Sequence, residues 1–277
     1  VVVSGAAGVG KSRLTDELER IANERGVRVL RGRAADADLG IPYAAYSEAI
    51  QDYVRTNRAG LDAFGDVLSD LLGLFPALAE MTEVGTLRPD AGSATAEAAR
   101  ESATGQTSVF EILARVFARI ARDGPVVVCL EDLHAAPGSV RALQYLASRL
   151  LPAPVLLVGT FRTTDAAARE SVTRLVEALR HERRFEPIAL EPFSPDEQRR
   201  FVECLVGDGP LDAALAASLY EATDGNPYFT KELVQSLRDA GRIAPNDAGV
   251  WVAVGSATEF AAELPPNVRQ AVVRRVD

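Results

Sequence analysis

Lysine occurs twice in this chain, at Lys11 and Lys231, and Lys11 lies within GAAGVGKS, residues Gly5 to Ser12, directly after Val1, Val2 and Val3. Glycine, four residues, glycine, lysine and then serine or threonine is the pattern of a loop that cradles phosphate. A polyphosphate is held by several backbone N–H groups converging on it. Only residues without bulky side chains let the chain wrap that closely, hence Gly5, Ala6, Ala7, Gly8 and Gly10, with Val9 among them. Lys11 supplies an ammonium group for the β and γ phosphates, and Ser12 a hydroxyl for a magnesium ion bridging them. Arg13 completes the stretch assigned to nucleotide contact. Composition alone gives roughly one chance match per thousand chains of this make-up, and an ordinary glycine-rich turn explains neither the lysine nor the serine after it.

A second set of groups stands at candidate strand ends. VVVCLED gives five apolar residues, Val126 to Leu130, then Glu131 and Asp132, which resembles a Walker B element. The first acid would organise the magnesium shell and the second would orient or deprotonate an attacking water. Glu131 is longer than the aspartate usual in first place, so which of the two faces the metal stays open. VLLVGTFRTTD ends in Thr160 and Arg162, and in a parallel sheet both emerge at the nucleotide edge, where Arg162 could sense a γ phosphate. Glu131, Asp132 and Arg162 are therefore the expected catalytic groups. Asp224, Gly225, Asn226, Pro227 and Tyr228 form a turn opening a helix; Gly225 and Pro227 could serve the turn alone, or Asn226 and Pro227 could contact the adenine or its ribose.

These groups need strands and helices to position them. Apolar strand candidates at Val1 to Ser4, Val27 to Arg31, Val126 to Leu130, Val155 to Gly159 and Phe185 to Leu190 alternate with helical periodicity, the signature of a parallel sheet with crossover helices. A helix starts at about Lys11, with Leu14, Leu18 and Ile21 on one face and Gly26 at its C-terminal end; its N-terminus adds partial positive charge at the loop. Tyr43, Tyr46, Ile50 and Tyr53, then Leu61, Phe64, Leu68, Leu71 and Leu72, fall at helical spacing and read as core. Residues Gly85 to Gly105, rich in Ala, Gly, Ser and Thr, read as a mobile surface loop, with helix resuming at Thr107. After Leu190 the strands stop. Ser194, Pro195 and Glu197 announce a capped helix with Phe201, Val202, Leu205 and Val206 inward, followed by helices carrying Leu211, Leu215 and Leu219, then Phe229, Leu233 and Leu237. Ile243 and Val250 to Val254 suggest a hairpin, and Leu264 opens another element.

The 277 residues suit one large α/β domain and a smaller one, and 47% hydrophobic content supports a folded protein. No apolar run approaches the ~18 residues that cross a bilayer, so the chain reads as soluble, without membrane contact and cytoplasmic. A start in a strand without methionine and a stop at Asp277 within a helical pattern suggest a segment of something longer. Cys129 and Cys204 stand alone, which argues against a disulfide framework, and His134 and His181 lack ligand-spaced partners for zinc. A net charge of −9 argues against a nucleic-acid surface on this segment. That charge does not prevent nucleotide binding, because screening over about 8 Å at physiological salt leaves the loop and Lys11 dominant locally.

The strings VVVSGAAGVGKSRL, IPYAAYSEAI, VVVCLEDLHAA, VLLVGTFR, LEPFSPDE, DGNPYF and LPPNVRQAVVRRVD, in this order from end to end, resemble the signal-transduction ATPases with numerous domains. The resemblance is closest to the ATPase module of the large ATP-binding regulators of the LuxR family. It implies a three-layer P-loop NTPase sandwich with a five-stranded parallel sheet over residues 1–192, a helical lid over 193–241, and a hairpin and the start of a winged-helix-like element over 242–277. It also implies binding of ATP or ADP with magnesium, slow hydrolysis, and a switch between resting and active states. DNA would be bound only through a domain outside this segment, and self-association driven by nucleotide is compatible with such a switch. After His134 the family carries tryptophan and then an acid, whereas here Ala135, Ala136 and Pro137 follow. The alternatives are an ATPase module attached to a nucleotide cyclase or kinase output, an AAA+ DNA-processing ATPase, and a scaffold that binds nucleotide without hydrolysis.

Overall fold

The computed structural model describes residues 1–34, 43–57, 60–81, 103–133, 137–163, 166–180, 185–207 and 209–254. The expected mobile loop up to residue 102, the positions 134–136, His181 and the C-terminal strings from residue 255 lie outside the described residues. Contacts divide the chain into two compact units. One contains Val1–Gly5 and Lys11–Ala189; the other contains Ala6–Gly10 together with the residues from Leu190 onward.

The first unit is built on strands β1 (Val2–Gly5), β2 (Arg28–Arg33), β3 (Val126–Glu131), β4 (Val155–Arg162) and β5 (Pro187–Leu190). They form one five-stranded parallel sheet in the order β2-β3-β4-β1-β5. The helices of this unit are α1 (Lys11–Glu24), α2 (Ala44–Thr56), α3 (Leu68–Leu74), α4 (Ala103–Ile120), α5 (Pro137–Arg149) and α6 (Ala166–Leu179). All six residues of β3 are buried, as a central parallel strand covered on both faces requires, and this is why its sequence is a continuous apolar run rather than an alternation. Tyr43, Tyr46, Ile50, Tyr53, Phe64 and Leu71 lie in the same core as Leu30, Val128 and Phe117, while Leu68 is only partly covered. At Gly32 a Cβ would fall 1.8 Å from the Ala45 carbonyl oxygen, so glycine is what lets α2 lie directly on β2.

The strands run further toward their carboxyl ends than apolar content alone suggests. Arg33 pairs with Glu131 and Gly5 pairs with Arg162, so the sheet's hydrogen-bond ladder extends through charged positions. Glu131 and Arg162 are thus held by the sheet itself and not by loops beyond it. β5 begins at Pro187 rather than Phe185, the first strand position being one a proline tolerates. α4 begins at Ala103, four residues before the expected start at Thr107, and so takes in the last residues assigned to the mobile loop. First-turn N–H groups have no helical partner in any case, so the weak helix formers there cost less than they would in mid-helix.

The second unit contains α7 (Pro195–Val206), α8 (Ala213–Thr223), α9 (Pro227–Asp239) and an antiparallel hairpin of β6 (Ile243–Pro245) with β7 (Trp251–Ala253). Its own core consists of Val202, Val206, Leu211, Leu215, Leu219, Leu233, Val234, Leu237 and Ile243, with Leu205 and Trp251 packed at the margin. Phe201, expected inward, is half-buried, as is Phe229; Phe201 packs its ring 5.3 Å from that of Phe193. α7 opens on a complete capping box, with Ser194 and Glu197 each accepting from the other's backbone. The Asp212 carboxylate caps α8, accepting from the backbone N–H groups of Ala214 and Leu215 at 3.0 and 3.2 Å. Asp212→Ala should therefore cost about 1 kcal/mol in urea unfolding of the chain, and Asp212→Ser should recover most of it. No helix of the described residues is long and apolar enough to cross a membrane.

Candidate functional site

The phosphate-loop residues Ala6–Gly10 belong by their contacts to the second unit. Gly8 has φ +77° and Gly10 φ +107°, conformations that residues with a Cβ rarely adopt. The Ala7 carbonyl accepts a hydrogen bond from Asn226 Nδ2 at 2.9 Å, and the Gly8 carbonyl accepts from the Tyr228 backbone N–H at 3.2 Å. Pro227, at the first position of α9, is flanked by these two contacts. A side chain on Gly8 would meet Asn226 Oδ1 at 2.7 Å and Tyr228 Cβ at 2.8 Å, so the loop and the turn fit only with glycine there.

In the first unit, Lys11 opens α1 and is 7% exposed, its Nζ donating to the Gly5 carbonyl at 2.9 Å. Burial lowers the Lys11 pKa, and the negative charge of Asp132 partly opposes that shift while Arg162 adds to it. Ser12 and Arg13 follow on α1 and are exposed. The Ser12 carbonyl accepts from Thr15 Oγ1 at 2.9 Å.

The two acids at the end of β3 have different surroundings. Glu131 is 5% exposed as a side chain, and its oxygens are occupied: Oε1 accepts from Thr15 Oγ1 and Arg31 Nη2, and Oε2 accepts from Arg33 Nη2 at 2.8 Å. Burial pushes the Glu131 carboxyl up, but the hydrogen bonds from Arg31 and Arg33 outweigh it and hold the group below the usual carboxylate range. Arg31 also reaches Asp16 and Glu19 on α1, at 2.7 and 2.8 Å.

Asp132 lies one residue past the strand with φ +56°, and its backbone N–H donates to Thr160 Oγ1 at 3.0 Å. Its carboxylate receives a two-pronged bond from Arg162, Nε to Oδ1 and Nη2 to Oδ2, both at 3.1 Å. Arg33 Nε lies 3.9 Å from Oδ2 on the same carboxylate. Thr160 and Arg162 thus emerge beside the acid, as the parallel register requires. In this structure Arg162 is engaged with Asp132.

Lys11, Asp132 and Arg162 form one electrostatic group at the carboxyl edge of the sheet, where open α/β sheets place their ligands. Glu131 belongs to a separate arginine network beneath α1. Arg31, Arg33 and Thr15 were not singled out from the sequence. The signal was available in RGR, because alternate strand positions share a face, but it becomes legible only once β2 is known to pair with β3 in the register Arg33 to Glu131. The Asn226 contact could not be read in advance, since a turn carries no record of which distant backbone it touches.

Over residues 1–158 the chain matches the family described as AAA ATPase domain. An uncharacterized protein of Rhizobium meliloti (strain 1021) is 27% identical over 258 residues, which is 85% of this chain and 22% of that protein. Among solved structures, the Aeropyrum pernix ORC1 protein, determined in complex with DNA, is 17% identical with a TM-score of 0.49, over 98% of this chain and 59% of that one. A Walker-type ATPase of Pyrococcus abyssi is 14% identical with a TM-score of 0.42, over 87% of this chain and 63% of that one. The chain thus spans about a fifth of the length of its Rhizobium relative, at 22%, and under two thirds of each solved chain. The match over residues 1–158 covers more than half of the sequence, and the chain belongs to the AAA ATPase domain family.

Proposed function

We propose that this AAA-type module is a nucleotide-operated switch that binds ATP with magnesium, hydrolyses it slowly, and reports its state to the rest of a multidomain LuxR-type transcriptional regulator. The observation that carries the reading is the buried ammonium of Lys11. Its Nζ donates to the Gly5 carbonyl, and taking this cation out of water carries a desolvation cost that a polyphosphate anion would offset.

The donor set fits the ligand. Two positive-φ glycines, a short run of small residues and a buried lysine suit a triphosphate, and a hydroxyl followed by a strand-end carboxylate suits magnesium, which prefers hard oxygen ligands. Ser12 and one acid of the Glu131–Asp132 pair would hold the metal. Asp132, whose charge acts on Lys11, is the better candidate, because the oxygens of Glu131 are already bonded to Arg31, Arg33 and Thr15. Magnesium, when bound, neutralises charge on the β and γ oxygens. Arg162 would have to exchange its Asp132 partner for a phosphate oxygen in order to sense the nucleotide, and until then Asp132 is not available to orient water. That arrangement suits slow turnover.

The resemblance in the LEDLH, GNPYF and LPPNVR strings supports the regulator context, and the −9 net charge favours it over a DNA-processing motor. Steady-state hydrolysis measured with and without duplex DNA tests the reading. Turnover that is slow and indifferent to DNA, with saturable ATP binding, is expected. Rapid turnover stimulated by DNA would overturn the switch in favour of a motor.

A further inference from the structure

We propose that Asn226 is a positioning residue for the phosphate loop, acting on its backbone and not on the base or ribose of the nucleotide. The inference rests on the reading of Gly5 to Ser12 as the phosphate site. Its basis lies within the second unit. Asn226 is 8% exposed, and its Oδ1 accepts from the N–H groups of Tyr228 and Phe229 at 3.1 and 3.4 Å. Those two bonds fix which way the side-chain amide faces, leaving Nδ2 to donate to the Ala7 carbonyl. The next carbonyl, that of Gly8, is taken by the Tyr228 N–H.

In a trans peptide the C=O and the following N–H point in opposite directions across one plane. Holding the Ala7 and Gly8 carbonyls therefore also sets the direction of the Gly8 and Val9 amides, which are the groups a phosphate nest uses. The holding turn is itself anchored. Gly225 has φ +72°, a Cβ there would fall 2.0 Å from the Phe193 carbonyl oxygen, and its own carbonyl accepts from the Phe193 N–H at 2.8 Å. The Asn226 carbonyl accepts from both the N–H and the hydroxyl of Thr230, at 2.9 and 2.8 Å. One asparagine thus caps α9 with its oxygen and braces the loop with its nitrogen.

Two variants separate these functions. Asn226→Asp keeps a capping oxygen of the same shape but sets a carboxylate oxygen against the Ala7 carbonyl. Asn226→Ser keeps a neutral capping oxygen too short to reach Ala7. Affinities for magnesium-ATP and for magnesium with inorganic tripolyphosphate would be measured by calorimetry on the wild type, both variants and Lys11→Ala, along with ligand-free melting. Asn226→Ser should weaken both ligands by the same factor, roughly two- to tenfold for one lost hydrogen bond, and Asn226→Asp by more, with ligand-free melting close to wild type. A loss for ATP with none for tripolyphosphate would overturn the brace in favour of direct contact to the nucleoside. Unchanged affinity for both ligands, with Lys11→Ala still defective, would overturn the brace alone. Wild-type protein that binds neither ligand would overturn the phosphate-loop reading, and the brace with it.

Discussion

Replacing Lys11 by alanine is expected to abolish the stabilisation that magnesium-ATP gives the wild-type chain. At a hundred times its dissociation constant a ligand adds about 2.7 kcal/mol to the native state, which for a chain of this length is a rise of roughly 5 °C in melting temperature. The variant removes the one buried ammonium of the candidate site, so the anion would meet the loop with its most concentrated positive charge gone. Ligand-free, the variant should melt near the wild type, because the loss of the bond to the Gly5 carbonyl and of the attraction to Asp132 is offset by shedding the desolvation cost of a buried cation. Differential scanning fluorimetry with and without nucleotide reads both numbers. An undiminished shift in Lys11→Ala would remove the lysine from the phosphate site.

The second large effect concerns Glu131 and is one of stability. Glu131→Ala should cost about 3 kcal/mol, the low end of the range for breaking a buried ion pair. The low end applies because Arg31 keeps Asp16 and Glu19, and because Arg31 and Arg33 are 32% and 54% exposed. Chemical denaturation compares the variants, and a neutral substitution would mean that the arginine network adds nothing to the fold. The pH dependence has a definite sign. The folded pKa of Glu131 lies below its ordinary 4.5. Its contribution is therefore complete above that value and is lost as pH falls through the folded pKa. The stability gap between wild type and Glu131→Gln should be constant near neutrality and close on acidification below 4.5.

Most of the sheet was legible because five short apolar runs, each bounded by turn residues, admit few other readings, and the loop after β1 was legible because its residue types are dictated by phosphate. What escaped was pairwise. Glu131 and Asp132 are neighbours in sequence, yet one enters an arginine cluster under α1 and the other faces Lys11 and Arg162. The left-handed backbone at Asp132 turns the chain between them, and aspartate tolerates that conformation better than most residues. No spacing rule encodes such a divergence, which depends on the register of β2 against β3. Burial of Phe201 was overread for a related reason: helical periodicity marks a stripe but not how far the neighbouring helices cover it.

The bond from Asn226 to Ala7 joins residues 219 apart in the sequence. Closures of that span raise contact order and fall late in folding. At cellular synthesis speeds of ~5–20 residues per second, a nascent chain would carry Ala7 for roughly 10–40 s before its partner was made. During that interval the sheet could assemble strand by strand while the nucleotide-gripping segment waited unfastened, so competence for ATP would be conferred only once the turn before α9 had been made and not with the motif's own emergence.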